Sequence, residues 1–162
     1  FVGAAAWATP TMWDLLPGSG EVAGWIVMPG ADQKTATASG LYGLYGQAAP
    51  DLAHAGVMAA AQRVYRKDTR RLTVDLLRFA TPAQAGANYT TRAAEAARTK
   101  GFAALRGIGQ NACQVRLCDG TRVLLRSGRY VGVLFLTSNS LSDATTLQAF
   151  ARHIAGKIAA AR

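Results

Sequence analysis

The stretch Tyr130-Val-Gly-Val-Leu-Phe-Leu136 constrains this chain more than any other. In an extended strand, successive side chains point to opposite faces. Val131, Val133 and Phe135 therefore share one face, and Leu134 and Leu136 share the other. A strand that is apolar on both faces must be covered on both, which places it centrally in a sheet with layers above and below. The run is too short for a membrane-spanning helix, and no apolar run in the chain reaches the roughly 18 residues such a helix needs.

The rest of the chain offers partners for that strand. Trp25-Ile-Val-Met28 reads as a short strand stopped by Pro29-Gly30. A hairpin is expected from about Val57–Tyr65 and Arg71–Phe79, with Arg66-Lys67-Asp68-Thr69-Arg70 as its turn. In its second arm Leu72, Val74 and Leu76 alternate with Arg71, Thr73 and Asp75, the period of a half-buried strand. Asp119-Gly120 and Ser127-Gly128 are turn signals around Thr121–Arg126, with Ala112–Leu117 as the strand before them.

Three helices are expected between these strands. Thr37 or Ser39 caps a first one carrying Leu41, Leu44, Tyr45 and Ala48, and Pro50 opens a short turn after it. Gly40, Gly43 and Gly46 weaken that helix by up to ~1 kcal/mol each, so close packing against the sheet must offset them. Thr81-Pro82-Ala83-Gln84 has the form of a capping box with proline in the first turn, and the helix it starts ends before Gly101. The last begins near Ser140 and repeats Leu147, Phe150, Ala151, Ile154 and Ile158 at helical spacing. The expected fold is α+β: one antiparallel sheet of five to six strands, covered by helices as an α/β/α sandwich. Residues 25–162 form a single domain, and residues 1–24 are a leader remnant and irregular lead-in.

Phe1–Ala8 is apolar and Ala-rich, and Ala6-Trp7-Ala8 has the small-x-small form of a signal-peptidase site. It reads as the remnant of a signal peptide, or the stub after a membrane anchor. The alternative is an Ala-rich terminus with no targeting meaning. Export places the domain in the periplasm or outside the cell, with membrane association through whatever precedes Phe1. In that setting Cys113 and Cys118 are expected to form a disulfide. The bridge requires Gln114-Val-Arg-Leu117 to curl. On a straight strand the two Cα atoms would lie roughly 16 Å apart, and the thiols would stay free.

The chain carries 18 Lys and Arg against 9 Asp and Glu, a net charge of +9. Such a balance permits nucleic acid, anionic lipid, acidic glycan or an acidic protein as partner, and export disfavours the first. Arg63, Arg66, Lys67, Arg70 and Arg71 gather about the first hairpin turn, with Tyr65 among them. Arg122, Arg126 and Arg129 flank a later turn. If the two sets share a sheet face they form a basic plate that can dock an acidic protein or anionic head groups. If not, they are a solvated face.

Catalytic signatures are missing from the sequence. It has no Gly-x-Ser-x-Gly elbow, phosphate-binding Gly-Lys loop or His-Glu-x-x-His pair. His54 and His153 sit singly on helices, and neither has the companions a metal site needs. No cofactor and no metal are expected. Asp68 and Asp119 suit turns, Asp143 suits a helix start, and Asp75 should pair with Arg71 or a neighbouring strand.

The segment from Leu41 to Val57, with Gly46, Ala48 and Gly56, resembles the signature of an exported bacterial family known as domain of unknown function 6599. Leu16-Pro17 and Gly24-Trp25 match its lead-in, while Tyr45 stands where that family carries an acidic residue. The element order is similar to the photosystem-II P-protein and Mog1-like sandwich. Neither resemblance implies a catalytic residue. Together these readings point to a non-enzymatic accessory subunit of the cell envelope, with a protein partner met through the Arg-rich hairpin. The alternative is a carrier of a small apolar ligand, held between the sheet and residues 39–46 and lined by Leu41, Tyr42 and Tyr45. An enzyme would need Asp75, His54 or His153 to meet other polar groups in a cleft.

Overall fold

A computed structural model describes residues 10–30, 33–138 and 140–161. The Phe1–Ala8 leader reading falls outside them. The strands are β1 (Ile26–Val27), β2 (Gln33–Thr37), β3 (Val57–Lys67), β4 (Arg70–Phe79), β5 (Phe102–Leu105), β6 (Asn111–Arg116), β7 (Thr121–Ser127) and β8 (Tyr130–Leu136). The helices are α1 (Leu41–Tyr45), α2 (Ala49–His54), α3 (Pro82–Ala97) and α4 (Leu141–Ala160). The described strands form one sheet in the order β1-β3-β4-β8-β7-β6-β5, with β2 also paired to β3 and every pairing antiparallel.

The expected α+β class with a single antiparallel sheet holds, but the sheet has eight strands rather than five or six. The two that composition hides are β2 and β5. Lys34-Thr-Ala-Thr37 is polar, and Phe102-Ala-Ala-Leu105 is half alanine, a residue depleted in strands. Both become strands because a neighbour offers a ladder, β3 to one and β6 to the other.

β8 is central, between β4 and β7. One face of the sheet carries Leu72, Val74, Leu76, Val123, Leu125, Leu134 and Leu136 against Leu147, Phe150, Ile154 and Ile158 of α4. The lead-in joins this layer. Trp25 packs edge-on against Phe150 at 5.8 Å between ring centroids, and Tyr65 does so at 4.7 Å. The opposite face carries Leu77, Phe79, Leu124 and Val131 against Leu41, Leu52, Ala85 and Tyr89 from α1, α2 and α3. Each fully buried large side chain contributes about 1.5–3 kcal/mol, so these two apolar layers dominate the stabilisation.

Local chemistry sets the ends. The α3 capping box forms as expected: the Thr81 hydroxyl accepts from the Gln84 backbone N–H, and the Gln84 side chain accepts from the Thr81 N–H. The first hairpin turn is tighter than five residues. β3 runs to Lys67 and β4 starts at Arg70, because Asp68 takes a left-handed φ of 53° that aspartate tolerates. The helix expected through Ala48 is broken into short pieces. At Gly46 the chain adopts φ 53°, ψ −125°, which ends α1.

The expected disulfide does not form. β6 stays straight through Arg116, in unbroken register with β7, so Gln114–Leu117 does not curl. Cys113 is buried in that ladder and Cys118 is exposed in the following turn, both as free thiols.

Candidate functional site

The hairpin and turn cations do not share one face. In β3 the side chains of Arg63, Tyr65 and Lys67 lie toward the lead-in. There Arg63 donates to the Pro17 carbonyl at 3.3 Å and sits over the Trp13 ring, 4.6 Å from its centroid. The buried Tyr65 hydroxyl donates to the same carbonyl at 2.8 Å, and Lys67 donates to the Ala23 carbonyl at 3.2 Å. Arg70 pairs with buried Asp143 at 2.9 Å. These four residues fasten the lead-in and the start of α4 to the sheet.

Arg66, Arg71 and Arg122 alternate to the other face, and all three are exposed. The register sets Arg66 directly opposite Arg71, and Arg122 opposite Phe135, which is itself opposite Thr73. Arg122 rests 6.0 Å from the Phe135 ring centroid. Arg126 shares this face but is spent at the far end, donating to the Pro82 carbonyl and the Asn111 side chain at 3.3 Å each. Arg129 lies exposed beyond it in the β7–β8 turn. Of the nine residues of the expected plate, Arg66, Arg71 and Arg122 are exposed together near one end of this face.

Beside those three lies a cleft of about 420 Å³ between α3 and the sheet. Val133, Leu124 and Val115 form its floor, Arg92 and Thr99 enter from the α3 side, and Arg122 and Phe135 from the sheet. Asp75 lines it as well. The Asp75 carboxylate accepts from the Gln62 amide at 2.9 Å and from the Tyr45 hydroxyl at 3.2 Å, both at Oδ1. Burial raises its pKa above the ordinary carboxylate value, while Gln62, Tyr45 and the nearby Arg92 charge pull it back. Burial also raises the Tyr45 phenol, and the Asp75 charge adds to the rise. Arg92 is held from behind by Asn88, one turn earlier on α3, at 2.9 Å.

This fold has a known likeness. It is similar to that of the extracellular domain of PknH from Mycobacterium tuberculosis. The match covers 90% of this chain and 93% of that one, with a TM-score of 0.59 and 12% sequence identity. Likeness at that identity speaks to fold and not to function. No family model matches the chain, and no curated protein matches it significantly.

The residues expected to line an apolar pocket are dispersed. Leu41 is in the core, Tyr42 is 67% exposed, and Tyr45 reaches down to Asp75. His54 and His153 are exposed on separate helices, outside the cleft. Among the described residues no cluster of three potential metal ligands occurs. Sequence reasoning missed Arg92, Gln62 and Phe135 as members of one site, because they come from a helix and two strands. A usable signal was present at Asp75, a charge set among alternating apolar residues.

Proposed function

We propose that this chain is a non-enzymatic binding domain of the cell envelope. It docks an acidic protein segment on the sheet face that carries Arg66, Arg71 and Arg122. The observation supporting this reading is the register, which directs the exposed side chains of Arg66, Arg71 and Arg122 to one end of one face of the sheet. Arginine suits the role because its planar fork pairs with carboxylates in a bidentate way. Placement outside the cytosol is part of the proposal. The apolar Phe1–Ala8 stretch and the resemblance to an exported bacterial family support it, and the extracellular neighbour is consistent with it.

The test is a titration of the isotopically labelled protein with a polyglutamate peptide, followed by NMR. Shifts should cluster at Arg66, Arg71 and Arg122. Reversing all three to glutamate should weaken binding by about tenfold or more. Reversing the exposed Arg98, Arg129 and Arg152 instead gives the same net charge and should leave binding intact. Equal loss in both triple variants would reduce the interaction to bulk charge and remove the docking face.

A further inference from the structure

The cleft beside the docking face has features that a flat acidic partner does not explain. Its volume of about 420 Å³ is within the range of small-ligand sites and far above the ~30 Å³ share of one water. Its walls carry both signs of charge. Arg92 and Arg122 would attract an anion, yet Asp75 and Glu95 would repel a ligand that was anionic throughout. Both donors to Asp75 land on Oδ1, and the residue lines the cleft, so Oδ2 is the oxygen left to accept from whatever enters. Arg92, Gln62 and Tyr45 already compensate the Asp75 charge. That environment suits a neutral hydroxyl better than a full ammonium. Beneath these groups, Val133, Leu124 and Val115 offer an apolar floor on which a ring can lay its C–H face. Arg122 and Asp75 stand two strands and two residues apart, a Cα separation of roughly 12 Å across a sheet. That spacing is suited to a ligand the size of a monosaccharide.

We infer that this cleft binds a small acidic sugar, with Arg92 and Arg122 on its carboxylate and Asp75 accepting a ring hydroxyl. The inference builds on the reading of this face as a binding surface and shares Arg122 with it, but it adds Asp75 and Arg92, which are not among the docking arginines. A sugar acid satisfies the three demands at once: an anionic group, donors beside it, and a partly apolar ring.

Calorimetric titration of the 162-residue chain with D-glucuronate tests it. D-glucose (no anion), glutarate (no hydroxyl) and L-glutamate (an ammonium in place of hydroxyls) are the comparison probes. Glucuronate should saturate one site, and the other three should bind about 10- to 100-fold more weakly, the usual cost of losing a charge-assisted hydrogen bond. Asp75→Asn and Arg122→Ala should each weaken glucuronate by a similar factor. Asp75→Asn should melt no lower than the parent at neutral pH, because burial disfavours the charged carboxylate it replaces. Failure of glucuronate to saturate, equal binding of glutarate or glutamate, or unchanged affinity in Asp75→Asn would each overturn the inference. Asp75→Asn should retain the polyglutamate interaction, so loss of the sugar site and loss of the docking face are read separately.

Discussion

Asp143 illustrates how one side chain can organise a junction. It is 1% exposed at the first turn of α4, where its carboxylate accepts from Arg70 across the sheet and from the Ser138 and Ser140 hydroxyls. Burial alone would raise its pKa, but those hydroxyls and the Arg70 charge outweigh it, so the folded-state value lies below the ordinary one. The stability it contributes is therefore present above about pH 4 and lost as pH falls through the lowered folded value. Asp143→Asn should cost about 2 kcal/mol in urea denaturation at pH 7, because Arg70 and two hydroxyls lose a charged acceptor. The gap between variant and parent should close in strong acid. A constant gap across that range would mean the side chain acts through shape rather than charge. Asp75 has the opposite sign, a half-buried carboxylate held against its own desolvation, and such groups more often serve sites than stability.

Among the elements, α3 forms one wall of the cleft while burying little. Only Ala85 and Tyr89 are buried along its length, and alanines make up most of the rest of its inner face. A helix so lightly anchored depends on its termini, and both arms of its capping box are made. Arg126 adds a tie by donating to the Pro82 carbonyl in the first turn. Thr81→Ala should destabilise the protein by about 1 kcal/mol, measured by chemical denaturation. Amide exchange should rise first in the opening turn of α3. If exchange instead rises evenly over the whole chain, the cap contributes only to global stability. The lead-in is the contrasting element: residues with no regular structure are fixed by donors from β3 to the Pro17 and Ala23 carbonyls, and by Lys157 of α4 to Glu21 at 2.7 Å.

On the scale of the whole molecule, the sheet has α4 and the lead-in on one side and α1, α2 and α3 on the other, and the two sides do different work. The first is a closed apolar layer; the second leaves an end open, where the cleft and the three exposed arginines lie. Straightness of β6 within this sheet keeps Cys113 and Cys118 apart, so a thiol reagent should label one cysteine quickly in the native protein and both after unfolding. Labelling of neither would restore the bridge. Much of this architecture was legible beforehand. The two-faced pattern of Tyr130–Leu136, the alternation of Leu72, Val74 and Leu76, the α3 cap and the α4 stripe are local signals, since period and capping are properties of neighbouring residues. They were enough to determine an antiparallel sheet with helical layers. What only the tertiary structure decided was which residues meet. Strands β2 and β5 exist because a neighbour's ladder was available, and the hairpin cations divided between faces because a one-residue step reverses a side chain. Asp75 joined Tyr45, Gln62 and Arg92 because four separate elements converge on one sheet face. Local sequence encodes conformation over a few residues, whereas a site is made of contacts between distant ones, and those are settled by register and packing.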